Sequence, residues 1–153
     1  MMEVLTPLSK LERVSRKVDP TTFVATPGIW ASVGAAGGVA NVVATVNAPV
    51  NKLVMSSASA NKYESHDVEV GRVTTLESIG ARVKVDADGY DGTINQGDLL
   101  VVSSASGTEG KLVSVAETSE TGDFEHVARC EEVNATQGWI VYRTISPYVE
   151  TLA

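Results

Sequence analysis

The chain has 153 residues, enough for one compact domain with its own core and too few for two full-sized domains. Hydrophobic residues make up 43% and charged residues 20%, a balance typical of folded proteins and not of disordered ones. The net charge of −7 argues against direct binding of DNA or RNA, because most of the surface would repel a polyanion.

Small aliphatic and β-branched residues dominate the apolar content, since only two Phe, two Trp and four Tyr are present. Such residues favour strands over helices. No stretch approaches the roughly 20 apolar residues of a membrane-spanning helix, and the N-terminus lacks the pattern of a secretion signal. We therefore expect synthesis in a cytoplasm and no membrane association. The single cysteine, Cys130, excludes an internal disulfide and a thiolate zinc cluster.

The segment from Glu3 to Asp19 differs from the rest of the chain. Thr6-Pro7 is a typical helix start, and Asp19-Pro20 is a stop. Apolar residues recur along the segment at helical spacing, at Val4, Leu8, Leu11, Val14 and Val18. We predict a short helical or extended N-terminal arm over residues 1–20, followed by a β domain over residues 21–153.

The arm is also basic, with a net charge of +1 against −8 for the remainder of the chain. Two interpretations are open: a terminal helix that packs on its own domain, or an arm that reaches a neighbouring subunit. For the second interpretation, the residues expected to contact the partner are Val4, Leu8, Leu11, Arg13, Val14, Arg16 and Lys17.

From Thr21 onward the sequence predicts short strands separated by turns. The alternation of apolar and charged residues is clearest around Ala81, Val83 and Val85, which is typical of a strand with one solvent-exposed face. Further strands are expected at 22–25, 29–33, 39–46, 52–56, 99–102, 112–115, 127–131 and 139–143, and an apolar stretch runs through residues 68–76. No helix-length periodic segment intervenes, so we predict a mainly β fold, either a single β-sandwich or a small β-barrel.

Two turn regions carry specific signals. The Asp-rich string 85–92 is similar to a calcium loop, but that loop has Gly at position 6 and Glu at position 12. Counted from Asp86, this sequence has Gly89 at position 4 and Gly97 at position 12. A hairpin built on Asp-Gly turns is the preferred interpretation. Further on, Gly97 is expected to form a tight bend and Asp98 to accept backbone amides, with 110–115 as the hairpin partner of Leu99–Val102.

Catalytic signals are weak. The two histidines, His66 and His126, are scattered; His126 and Cys130 would lie on one face of a strand about 13 Å apart, so a nucleophile and base pair is not expected. The glycines of 34–38 precede no helix and predict no phosphate site. Acidic residues near the C-terminus are interpreted as a solvated face: Glu117, Glu120, Asp123, Glu125, Glu131 and Glu132. We expect no enzyme, no cofactor and no metal.

The weakly charged region 32–60 has two interpretations, a loose surface excursion or a sheet edge that a partner chain completes. Among the large rings, Trp30 is expected within the β body, while Trp139 and Tyr142 are expected to anchor the core or an interface.

Several segments together resemble small virion proteins of tailed bacteriophages, especially capsid decoration or cement proteins. They are the N-terminal arm and the segments 28–31, 97–101, 127–129 and 138–143. The resemblance implies a β-rich homo-oligomer, trimer or dimer, that binds the major capsid protein on the outside of the virion, with an arm clamping adjacent subunits. The signature of the best-known small decoration fold is absent. A tail tube or tail-terminator component is the rival, and a carbohydrate- or ligand-binding β module is the alternative of another class.

Overall fold

The computed structural model describes residues 2–17, 27–33, 39–40, 50–57 and 72–153. The chain is mainly β, as predicted, and the described residues contain a single 3-10 turn, Leu8–Lys10. The strands are β1 (Met2–Val4), β2 (Arg13–Lys17), β3 (Trp30–Val33), β4 (Val39–Ala40), β5 (Asn51–Ser57), β6 (Arg72–Leu76), β7 (Arg82–Asp86), β8 (Leu99–Val102), β9 (Leu112–Ser114), β10 (Gly122–Asn134) and β11 (Trp139–Leu152).

These strands form two antiparallel sheets. Sheet A has six strands in the order β1-β7-β11-β10-β8-β9, and sheet B has five in the order β2-β6-β5-β3-β4. Neither sheet closes on itself, so of the two predicted architectures the structure fits the β-sandwich.

The main core lies between the sheets. The rings of Trp30 from sheet B and Tyr142 from sheet A are tilted by 46° with centroids 6.4 Å apart, so both residues anchor the body as predicted. Aliphatic side chains from both sheets surround them, chiefly Leu53, Leu76, Val83, Val85, Leu100 and Ile140. Smaller apolar clusters sit on the outer faces, around Val54 on sheet B and around Val101 and Phe124 on sheet A.

The N-terminal segment takes the extended form, so the helix pattern was misleading for the residues up to Lys17. β1 pairs with β7, β2 pairs with β6, and the predicted helix start at Pro7 gives only the 3-10 turn. A lone helix of this length is marginal in water, whereas two ladders and the packing of Leu11 on the main core satisfy the same backbone and apolar groups. The boundary predicted at residue 20 lies outside the described residues.

The Asp-rich string forms a turn but not the predicted hairpin. The Gly89 N–H donates to Asp86 O, and the Asp88 N–H donates to Asp86 Oδ1. β7 and β8 are nevertheless not neighbours, because β11 and β10 lie between them. The segment that connects β7 to β8 passes across sheet A instead, and its Ile94 side chain is buried in the main core.

The second turn region is confirmed. Gly97 has a φ of 89°, and Asp98 Oδ2 accepts the Asn95 N–H at 2.9 Å and the Ser114 hydroxyl at 2.7 Å. β8 and β9 then form the predicted hairpin, with Val101 opposite Val113. The strands expected at 22–25 and 41–46, the glycines of 34–38, most of the region 32–60 and His66 lie outside the described residues.

β10 and β11 form a hairpin of 13 and 14 residues, much longer than the segments 127–131 and 139–143 that the sequence indicated. Register shifts after His126 and after Cys130 bend the hairpin. At its tip Trp139 lies beneath Lys84, whose Nζ is 4.4 Å from the ring centroid. The hairpin is the central element of sheet A.

Gly110 is a close-contact point between the sheets. Its carbonyl accepts the Trp30 N–H at 2.8 Å, and its φ of 84° lies in the left-handed region. A Cβ at this position would stand 2.5 Å from Trp30 O and would also meet the Ile29 side chain. No side chain larger than hydrogen fits there without moving β3.

We predict that Gly110→Ala lowers the free energy of unfolding by about 3 kcal/mol, because left-handed strain and a backbone clash add together. Gly107→Ala is the matched control, since its φ is 90° but its Cβ would meet nothing within 4 Å. That variant should lose only about 1 kcal/mol. Urea denaturation measures both, and equal losses would show that Gly110 is not a close contact.

Candidate partner-binding surfaces

The N-terminal segment supplies one edge strand to each sheet, β1 to sheet A and β2 to sheet B. It is fastened to the connection between β6 and β7: the Leu5 N–H donates to Arg82 O, the Arg82 N–H donates to Thr6 Oγ1, and the Glu77 N–H donates to Glu12 O. Residues 2–17 therefore cover one side of the sandwich, and we call them the N-terminal edge surface.

The seven residues predicted to contact a partner all lie on this surface. Val4 is half-buried in β1, Val14 is half-buried in β2, and Arg13 is exposed beside it. Leu8 lies in the 3-10 turn and Lys17 ends β2. Leu11 packs against the main core of its own chain, so less of its side-chain surface is available to another subunit. Contact with another subunit remains a prediction for the whole set.

Arg16 is fixed within the chain by a three-residue ion network. Its Nη2 donates to Glu77 Oε1 at 2.6 Å and its Nε to Thr75 Oγ1 at 3.0 Å, while Lys52 Nζ lies 3.0 Å from Glu77 Oε2. Burial would raise the pKa of Glu77, but the hydrogen bonds from Arg16 and Lys52 outweigh it and lower that pKa. Arg16 thus joins β2 to the rest of sheet B, a role that its sequence position did not reveal.

Among the described residues the far ends of β10 and β11 pair with each other, and only His126 also pairs with another strand, opposite Val101 of β8. We call this part, residues 122–126 with 148–152, the ribbon. On its outer face the fully buried His126 ring stacks on Tyr148 with centroids 4.3 Å apart, and His126 Nε2 lies 2.5 Å from Glu150 Oε2. Tyr148 itself is 47% exposed and Val149 is 40% exposed. The ribbon therefore presents partly exposed apolar side chains on a hydrogen-bonded pair of strands.

Glu125 corrects the expectation that the acidic residues are solvated, because only 6% of it is exposed. It lies on the inner face of the ribbon, where Oε1 accepts the Asn51 N–H of sheet B at 3.0 Å. Burial raises the pKa of Glu125, although the Asn51 hydrogen bond and the Lys52 charge act in the opposite direction. The sequence held no signal for this, since Phe124–Ala128 is covered on both faces of the strand.

Glu131 is also tied down, as the centre of an ion cluster on the outer face of sheet A. Arg143 Nε lies 2.9 Å from Oε2, and Arg82 Nε lies 2.7 Å from Oε1. The hydrogen bond from Arg143, supported by Arg82, holds the pKa of Glu131 below its usual value. The cluster therefore accounts for this carboxylate without any catalytic role.

His126 and Cys130 do not share a face, contrary to the expectation from strand spacing. The register shift after His126 turns Cys130 into the main core opposite Tyr142, while His126 stays on the outer face. The Cys130 thiol is 1% exposed and donates to Glu132 O at 3.5 Å. Burial raises the pKa of Cys130 to about 11, so the thiolate that a nucleophile requires is scarce at neutral pH.

A groove of about 320 Å³ lies between three loops of sheet A. Glu120 Oε1 shapes one wall, since it accepts the Ser103 hydroxyl at 3.0 Å and the Ser104 and Ala105 N–H groups at 3.1 Å. The lining consists of hydroxyl, carboxylate and small side chains and includes no aromatic ring. It thus offers no platform on which a sugar could stack.

The described ranges contain no group of three or more His, Cys, Asp or Glu residues that could hold a metal ion. No helix within them has the length and apolar character that crossing a membrane requires. Comparison with known proteins finds no family model, no curated protein and no solved structure that is significantly similar to the chain.

We predict that Glu125→Gln removes a pH dependence of stability. Because the folded-state pKa of Glu125 is raised, the wild type is favoured while this carboxyl is protonated and loses stability as pH rises above the usual pKa of 4.5. Gln keeps an acceptor for the Asn51 N–H and cannot ionise. The variant should therefore gain stability over the wild type between pH 4 and pH 8, as measured by urea denaturation.

Glu117→Gln provides the control, since Glu117 is exposed in a loop and the substitution is chemically identical. Measured over the same pH range, it shows the effect of a Glu→Gln change at an exposed position. Parallel curves for Glu125→Gln and the wild type would contradict the assignment.

Proposed function

We propose that the chain is a structural virion protein, which binds the outside of an assembled tailed-phage capsid as a homo-oligomer and stabilises the shell by bridging major capsid subunits. The resemblance in sequence suggested this function. The feature of the fold that supports it best is the N-terminal edge surface, where one basic segment supplies an edge strand to both sheets.

Edge strands present unpaired N–H and C=O groups, which makes them suitable for adding a strand from another chain. Among the described residues β1 and β2 each pair with one strand only. The exposed Arg13 lies along β2, in a segment of net charge +1 on a body of −8. The acidic body keeps free copies apart in solution, while the basic edge favours an acidic site on the shell.

A shell gains from many copies of such a protein. Each copy adds buried interface, and contact with two neighbouring subunits turns two modest affinities into firm attachment. The rival assignment, a tail tube or tail-terminator component, requires a ring made by this chain alone. Negative-stain microscopy of the purified protein distinguishes the two, because rings without capsids favour the tail component.

We expect the purified protein to co-sediment with undecorated capsids and to raise their melting temperature. Arg13→Glu should weaken capsid binding about tenfold, because it reverses an exposed charge at the proposed contact. Arg129→Glu is the matched control: it makes the same change on an exposed arginine of β10, away from the N-terminal edge surface.

The control should bind capsids as the wild type does, and both variants should remain folded at the assay temperature, although Arg129→Glu removes the hydrogen bond from Arg129 Nη1 to Gly97 O. Failure of the wild type to sediment with capsids, or equal weakening by the two variants, would contradict the proposal.

A further inference from the structure

β11 has an open edge where its neighbour leaves the sheet. β7 pairs with residues 139–143, and the Thr144 N–H still donates to Ala81 O. At Gly80, with a φ of 81°, the chain turns away toward sheet B. Among the described residues, no strand continues the line of β7 beside residues 145–152. We call this position the β11 slot.

Apolar side chains border the slot. Ile79, at the turn that closes one end, is 65% exposed, and Tyr148 and Val149 on the strand itself are 47% and 40% exposed. These are three of the six exposed large apolar side chains in the described part of the chain. Next to the turn, Ile79, Ile145 and Pro147 help to line a cleft of about 90 Å³, enough for one aliphatic side chain.

The slot is acidic as well as apolar. Residues 144–152, which border the slot, contain the carboxylate Glu150 and no Lys or Arg. Glu150 is half exposed, held by His126 at the outer face. The charged residues of the cleft, Lys52 and Glu77, are already paired with each other. A strand with apolar side chains and positive charge would thus complement the slot.

A second copy of the chain fits this requirement poorly. Antiparallel pairing of two β11 edges would bring two Glu150 carboxylates into one small interface. It would also place two Pro147 residues, neither of which has an N–H group, in the same ladder. A strand from a different protein would contact only one Glu150 carboxylate and one Pro147.

We propose that the β11 slot binds an extended segment of a partner protein, which adds to sheet A as a strand, places an aliphatic side chain in the cleft and brings Lys or Arg to Glu150. In such recognition the ladder supplies affinity and the pocket supplies specificity. The identification of the partner as a capsid subunit rests on the proposed function, whereas the slot rests on the geometry above.

The first test uses labelled peptides of about eight residues, the length of the slot. The basic peptide alternates Val with Lys and Thr, an acidic peptide has Glu in place of Lys, and a third is the basic peptide with alternate backbone amides methylated. Fluorescence anisotropy with the full chain should show binding of the basic peptide. The acidic and methylated peptides should bind at least about tenfold more weakly.

The second test locates the bound peptide. Ile79→Lys and Val149→Lys, both at exposed positions, should each weaken binding of the basic peptide about tenfold by adding like charge and obstructing the slot. Val133→Lys is the matched control, since Val133 is 38% exposed at the other end of the same hairpin. It should leave binding unchanged.

Three results would overturn the inference. The first is that none of the peptides binds, and the second is that all three bind equally. The third is a wild-type dimer that the Ile79→Lys substitution dissociates but the basic peptide does not, because that result would assign the slot to a second copy. Capsid sedimentation with the same variants separates this inference from the proposed function. If Ile79→Lys abolishes peptide binding but leaves capsid binding unaffected, the partner of the slot is not a capsid subunit, whereas peptide binding without any capsid binding would refute the proposed function alone.

Discussion

The hairpin of β10 and β11 is longer than any strand that flanks it, and this mismatch shapes the molecule. β7 covers five residues of one side of β11, and β8 covers the middle of β10. The residues of β10 and β11 beyond those neighbours form the ribbon. Its inner face contacts sheet B through the hydrogen bond from the Asn51 N–H to Glu125. One structural constraint therefore produces both a connection between the sheets and, within the part of the chain that the structure describes, an edge of β11 without a neighbouring strand.

The two candidate surfaces meet at the connection between β6 and β7. Residues 77–82 hold the N-terminal edge surface by backbone hydrogen bonds, and Gly80 and Ile79 close one end of the β11 slot. The ion network of Arg16, Glu77 and Lys52 fixes the same connection to sheet B. A partner that binds either surface would thus contact a connection that hydrogen bonds and ion pairs hold to the sandwich, which suits a protein proposed to stabilise a shell.

Local patterns were sufficient to predict much of the fold. The alternation through Val83 and Val85 located β7, and the Gly97-Asp98 turn located β8 and its hairpin. Of the helical and extended forms predicted for the N-terminal arm, the structure has the extended one, because apolar spacing is a local signal whereas β1 and β2 are selected by strands far along the chain. Neither the burial of Glu125 nor the β11 slot was predictable, since each depends on which strands end first. The seven residues assigned to partner contact remain a prediction.

Hydrogen–deuterium exchange of the chain, free and bound to capsids, tests the central claim most directly, that unpaired strand edges are what this protein offers to other subunits. The account predicts slower exchange on binding in residues 2–17 and 145–152, where added strands would protect backbone amides. The groove between the loops of sheet A should show no change. Protection confined to that groove, or no protection at either edge, would contradict the account.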